Sequence, residues 1–334
     1  MSFSGNYLCN IEAVIRGRQP LRPLLFSYYV THRCSLCCSY CCDGAGRRFV
    51  DNPINELSTR ESCTLITTLS KASDTLDITG GEPLERTDLE ELLIHARLSG
   101  MKTVLNTKGT GLELRPEIMK NTDALVISLD SLDRGKLSAL IGRSLKTADA
   151  LLNSLQYAVS RSRMTGTRLI LSCVATPDNL PDVGGVLAFA MKNRLGFHIS
   201  PEIIGTKVNP ALRGNPDYRQ LMDRILRLKR LGRGILGIPQ YLHGIRDFIE
   251  FPCHPLLMPT IRPDGKMYYP CLESGQAHRS LLENKTYQET LDSFRNDFGE
   301  IPNCSECCHI FCHMALSLLQ RHPLSALMEL RHWM

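Results

Sequence analysis

From Leu24 onward, short runs rich in β-branched and aromatic residues alternate with longer stretches of helical period. The runs at 24–31, 75–79, 102–106, 124–129, 168–175 and 196–201 read as strands bounded by turn signals. Between them, residues 59–70 follow a cap signal at Ser58, and residues 88–98 place Leu89, Leu92, Leu93 and Ala96 on one helical face. The alternation predicts an α/β fold of six stacked βα units around a parallel sheet. Six units are fewer than the eight that close a full barrel, so a partial (β/α)6 barrel and a doubly wound sheet both fit. Either architecture puts the functional residues at the C-terminal ends of the strands.

The pattern changes near Phe251, where helices give way to a turn-rich stretch bearing Pro252, Pro255, Pro259, Pro263 and Pro270. Three segments follow: an N-terminal helical piece over 1–23, the βα units over 24–250, and a small cysteine-bearing module over 251–334. The turn Pro263-Asp264-Gly265 separates 259–262 from 266–269 as in a hairpin, which brings Cys253 and Cys271 close together. The segment 6–26 sets Arg16, Arg18 and Arg22 among apolar residues. It either lies against an anionic surface, a peripheral membrane contact, or packs as a helix across the barrel's end. The amphipathic segment 315–334 reads as a docking helix.

The chain is 334 residues long and 43% hydrophobic, enough to bury a sizeable core. Its net charge of +5 is spread over both halves without a basic run, and no basic–aromatic patch points to nucleic acid. No apolar stretch approaches the ~20 residues that span a bilayer, so no transmembrane helix is expected. The first ten residues lack the layout of a secretory signal, which places the chain in the cytoplasm with reduced thiols. Of its 14 cysteines, five lie between Cys34 and Cys42 and six between Cys253 and Cys312. Clusters of this kind in a reducing compartment favour metal or iron–sulfur ligation over disulfides.

Directly after the first predicted strand, Cys34, Cys38 and Cys41 stand in C-x3-C-x2-C spacing with Tyr40 before the third cysteine. Three thiolates on one loop suffice for three irons of a [4Fe–4S] cube and leave the fourth iron open for substrate chemistry. Cys37 and Cys42 add overlapping C-x2-C pairs that a tetrahedral zinc also accepts. The spacing, Tyr40 and the position after strand one resemble radical S-adenosylmethionine (SAM) enzymes. That resemblance implies that Cys34, Cys38 and Cys41 hold the catalytic cluster, whose open iron chelates SAM, and that Cys37 and Cys42 are not ligands.

Other positions extend the resemblance. After the second strand, Gly80-Gly81-Glu82-Pro83 pairs glycines that admit a close approach with a carboxylate suited to an ammonium. It is similar to the family motif that grips the SAM amino group. Ser128 and Asp130 resemble a Ser-x-Asp position that holds the ribose, with a helix N-cap as the competing account. Asn106 and Lys108 stand where many relatives carry Thr-Asn-Gly, and Ser172 and Glu202 are candidates by position alone. Cys173 either faces the sheet interior as a hydrogen-atom relay or is a small buried hydrophobe.

The layout of Cys253, Pro263-Asp264-Gly265, Cys271 and Cys304-x2-Cys307-x4-Cys312 resembles the SPASM/twitch extension of that superfamily. The resemblance implies one auxiliary [4Fe–4S] cluster on Cys253, Cys271, Cys304 and Cys307, with Cys308 or Cys312 as substitutes. A structural zinc on the same four residues is the alternative.

The function so implied is reductive cleavage of SAM to a 5′-deoxyadenosyl radical and oxidative modification of a small metabolite or peptide, by dehydrogenation or formation of a C–C or C–S bond. An electron donor such as flavodoxin or ferredoxin is expected. With only about 23 residues before the first strand, a built-in leader-peptide domain is not expected. Two alternatives compete: radical adenosylation of an apolar or lipid substrate, and a zinc-binding interaction module without enzymatic activity.

Overall fold

The computed structural model describes residues 1–275, 277–284, 286–299 and 307–330. Six parallel strands, β1 (Phe26–Tyr29), β2 (Thr75–Thr79), β3 (Lys102–Thr107), β4 (Ala124–Ser128), β5 (Arg168–Ala175) and β6 (Gly196–Pro201), lie side by side in chain order. A doubly wound sheet reverses its strand order at a switch point. This sheet runs from β1 to β6 without a reversal, which is the order of a partial barrel. A two-stranded ribbon, β7 (Ile203–Ile204) with β8 (Lys207–Val208), follows β6. The strands β9 (Thr260–Ile261), β10 (Lys266–Tyr269) and β11 (Ala277–Ser280) then extend the sheet beyond β1, with β9 parallel to β1, β10 antiparallel to β9 and β11 antiparallel to β10.

The helices, numbered in chain order, are α1 (Phe3–Ile15), α2 (Thr59–Ser70), α3 (Leu89–Leu98), α4 (Pro116–Lys120), α5 (Arg134–Leu140) and α6 (Leu145–Thr165). They continue with α7 (Leu180–Asn193), α8 (Pro216–Arg230), α9 (Pro239–Asp247), α10 (Tyr287–Phe298), α11 (Phe311–Arg321) and α12 (Pro323–Leu330). Local chemistry sets their ends. Ser58 and Glu61 form a reciprocal capping box at α2, while Ser144 caps α6 and Gly166 ends it in the left-handed region. Where the sequence suggests one C-terminal helix over 315–334, there are two, because Pro323 disfavours helical backbone at His322.

Strand periodicity sorts side chains onto two faces. Phe26, Tyr28, Leu76, Ile78, Leu105, Leu125, Ile127, Leu171, Phe197 and Ile199 pack outward into the main core beneath the helices. Inward, Ala124, Val126, Ile170 and Leu236, with Val104, form a separate apolar plug at the N-terminal end of the barrel. Cys173 faces outward in register with Ile199 and donates its thiol proton to the Leu129 carbonyl at 2.9 Å. It is a buried core residue, and the relay reading does not hold.

Helix α1 packs across the N-terminal end of the barrel. Asn6 donates to the carbonyls of Pro23 and Ala72, both at 2.7 Å, and the Tyr7 hydroxyl donates to that of Leu319 at 2.9 Å. Among the described residues, no helix is long and apolar enough to cross a membrane.

Candidate functional site

The loop after β1 is held by backbone. Gly81 N–H donates to the Thr31 carbonyl and Glu82 N–H to that of Arg33, both at 2.8 Å, so the turn after β2 lies directly on the start of the cysteine loop. A Cβ on Gly80, at φ +153°, would stand 2.4 Å from the Thr31 oxygen, and one on Gly81 2.2 Å from that of Arg33. The glycine pair therefore serves a chain-to-chain approach that no side chain allows. Pro83 opens the short turn that follows.

Glu82 is 1% exposed. Its carboxylate accepts from Leu84 N–H at 3.0 Å, from Lys108 N–H at 2.8 Å and from the Thr107 hydroxyl. Thr107 and Lys108 fasten the turn to the end of β3.

Within the cysteine loop, Cys38 is buried, Cys34 half-buried and Cys41 open to solvent. Burial pushes the Cys34 thiol up to about 12, and charge on Cys41 further disfavours charge on Cys34. Such thiols stay protonated at neutral pH until a metal displaces the proton. Cys37 belongs to the opposite side of the loop. Its N–H donates to the Ile141 carbonyl at 2.9 Å, its Cβ lies against Gly142, and its thiol meets the Arg48 guanidinium. Cys42 is exposed and pairs through its backbone with Arg48.

Cys34, Cys38 and Cys41 thus stand apart from Cys37. No three His, Cys, Asp or Glu side chains among the described residues converge on the position of one metal ion.

Beside Cys38, Lys108 lies buried with its ammonium 3.0 Å from Asp130 Oδ2 and 3.1 Å from the Tyr40 hydroxyl. The Tyr40 hydroxyl donates to the same Asp130 oxygen, while Oδ1 accepts from Val174 N–H at 2.8 Å. Asp130 and the neighbouring tyrosine hold the Lys108 pKa well above its ordinary value, against the pull of burial. A fixed positive charge thus stands next to the cysteine loop.

Deeper in the barrel, the inward face is polar. Ser27 donates to Asp77 at 3.0 Å, Asn106 donates to the same carboxylate, Ser128 is in register with Ser172, and the Ser172 hydroxyl meets His198 Nδ1 at 2.8 Å. His198 is buried, its Nε2 has no partner, and the ring of Phe311 lies 4.1 Å away. Tyr29, on the same inner face, senses the charges of Glu273, Asp77 and Cys41. Glu202 stands apart: its carboxylate accepts from Asn209 at 2.6 Å and pins the β7–β8 ribbon.

Sequence reasoning passed over Asp77 and His198. The readable signal was one polar residue between apolar neighbours, Leu76-Asp77-Ile78 and Phe197-His198-Ile199, in strands otherwise apolar.

Burial raises the Asp77 carboxyl to about 7. The folded protein therefore keeps this proton where the unfolded chain has lost it, and stability falls as pH rises from about 4 through 7. Asp77→Asn is expected to gain on the order of 2–4 kcal/mol over the parent at pH 8 and nothing at pH 4. Urea titrations at the two pH values check it; an equal effect at both would refute the assignment.

At the C-terminal side, one recess is lined by Cys253, Cys271, Cys308, His313, Glu273, Ser274, Thr206, Pro255 and Pro270. The hairpin turn at Gly265 does bring Cys253 and Cys271 together. Cys308 joins them, while the Cys307 thiol donates to the Phe251 carbonyl at 3.5 Å. Cys304 lies outside the described residues. Burial, with Asp43 adding like charge, raises Glu273 to about 7. The loop beyond Cys41 touches this region directly: a Cβ on Gly44 would stand 2.4 Å from the Glu273 carbonyl oxygen.

Residues 28–172 match the family model of the Radical SAM superfamily. A probable GTP 3',8-cyclase of Methanosarcina mazei is 33% identical over 135 residues, 39% of this chain and 40% of that protein. The GTP 3',8-cyclase of Staphylococcus saprophyticus is 34% identical over 151 residues, 42% and 43% of the two chains. The chain thus spans about two fifths of the length of these relatives. The crystal structure of Streptococcus suis SuiB bound to S-adenosylmethionine superposes with a TM-score of 0.62 at 19% identity, covering 79% of this chain and 64% of SuiB. SuiB bound to its precursor peptide SuiA gives 0.61 at 17% identity, covering 87% and 69%. The cysteine loop after the first strand and strands β2 to β4 of the partial barrel lie within residues 28–172, the part of the chain that matches the radical SAM superfamily, whose enzymes work with a [4Fe–4S] cluster and S-adenosylmethionine.

Proposed function

We propose that the chain cleaves SAM reductively and uses the resulting 5′-deoxyadenosyl radical to take a hydrogen atom from a small metabolite or a peptide, with net oxidation to an alkene, a carbonyl or a new C–C or C–S bond. The observation that carries this reading is the grouping of Cys34, Cys38 and Cys41 at the mouth of the barrel, with Lys108 fixed beside them above a polar chamber. The three thiolates would hold a [4Fe–4S] cluster, which would supply the electron that breaks the S–C5′ bond of bound SAM.

The chain's own residues do the rest. Lys108 offers a cation to the SAM carboxylate, Gly80 and Gly81 bring backbone to its amino end, and Ser128 and Asp130 face its ribose. Asp77, Asn106, Ser172 and His198 offer hydrogen bonds to a polar substrate and leave the apolar plug beneath it dry. Cys253, Cys271 and Cys308 in the C-terminal recess would hold an auxiliary [4Fe–4S] cluster, which would supply an acceptor for the electron of a substrate radical. A small redox protein such as flavodoxin or ferredoxin supplies the first electron. SuiB, crystallised with a precursor peptide, shares the fold over most of this chain and lends support to a peptide substrate.

The test is anaerobic reconstitution followed by incubation with SAM and dithionite. About eight irons per chain and release of 5′-deoxyadenosine are expected. A Cys34/Cys38/Cys41→Ala variant should keep about four irons and release none. Protein that binds zinc and no iron would overturn the proposal.

A further inference from the structure

Histidine beside a cysteine cluster is easily passed over, yet His313 is placed as a ligand is placed. It lines the recess with Cys253, Cys271 and Cys308, it is 4% exposed, and its Nδ1 has no hydrogen-bond partner. A buried ring nitrogen without a partner costs about 1–3 kcal/mol, so it calls for an occupant. The helix face that carries the ring is fastened to the Cys253 loop. One turn further along α11, the Ser317 hydroxyl accepts from His254 N–H at 2.9 Å, fastening the loop of Cys253 to the helix face that carries His313.

The C-terminal cysteines do not all turn toward the recess. Cys307 is engaged with Phe251, and Cys312 feels the charge of Asp77 in the barrel. Among the described residues, three thiols and one imidazole line the recess.

Resting on the reading that this recess holds an iron–sulfur cluster, we infer that His313 is its fourth protein ligand, completing a site made by Cys253, Cys271, Cys308 and His313. Burial keeps the free imidazole neutral, with a lone pair available to a metal. Exchanging a thiolate for a neutral nitrogen removes one negative charge from the centre. Histidine ligation raises the reduction potential of iron–sulfur clusters for that reason. A centre so tuned is a better acceptor for an electron leaving a substrate radical than a donor to SAM.

The experiment uses full-length protein carrying Cys34/Cys38/Cys41→Ala, so that only the second cluster remains, reconstituted anaerobically and reduced. Pulsed EPR should detect a directly coordinated nitrogen-14. His313→Cys should keep about four irons, lose that coupling and shift the potential downward; His313→Ala should lose most of the iron. Cys304→Ala and Glu273→Gln should keep both iron and coupling.

A cluster without nitrogen coupling, lost on Cys304→Ala or Glu273→Gln and kept on His313→Ala, would overturn the assignment while leaving the auxiliary cluster intact. Absence of iron from the background variant, with about four irons in the parent, would instead remove the auxiliary cluster itself.

Discussion

Gly81→Ala is expected to destabilise the protein by about 3 kcal/mol or more and to empty the first cysteine loop of iron. The added methyl would stand 2.2 Å from the Arg33 oxygen and 2.7 Å from that of His32. Both obstacles are backbone, one residue and two before Cys34, so relief means pushing the loop away from β2 and breaking the bond from Gly81 to Thr31. Gly185 on α7 is the control: no atom approaches its Cβ position, and alanine there should be neutral or gain about 0.5–1 kcal/mol. Denaturant midpoints and iron content decide. A Gly81→Ala protein as stable and as well loaded as the parent would show that the tight approach is not needed.

Lys108→Met should cost about 3–5 kcal/mol, because it leaves the Asp130 carboxylate buried without its cation. SAM affinity should fall at least tenfold, the loss of one charge-assisted contact. The double variant Lys108→Met/Asp130→Asn separates the two effects. It should recover much of the stability and none of the affinity. If affinity returns with stability, the lysine is a structural partner of Asp130 and nothing more.

The strands were legible because each is a near-continuous apolar run closed by turn residues, and their observed limits fall within a few residues of those expected. Strand order was not, since periodicity says which face a residue takes and nothing about which strand lies beside it. The cysteine loop was readable from spacing. What spacing hides is direction: Cys37 and Cys38 are adjacent, yet one lies on Gly142 and the other beside Lys108. Likewise Cys307 takes a positive φ of 49°, which turns the chain so that its successor meets the recess. That the Glu82 carboxylate is also held by Thr107 and Lys108, up to 26 positions away, could not be read from its motif. Distances of that kind are set by the fold.

The close approach of Gly44 to Glu273 bears on how the protein is assembled. Gly44 lies three residues beyond Cys41 and Glu273 two beyond Cys271, so the two cysteine loops share a wall. Ordering one loop presents the other with part of its surroundings, and metal loading is therefore expected to be cooperative. Chains given half the iron they need should therefore sort into filled and empty populations, separable by native mass spectrometry. A uniform pool of half-filled chains would mean that the wall transmits nothing.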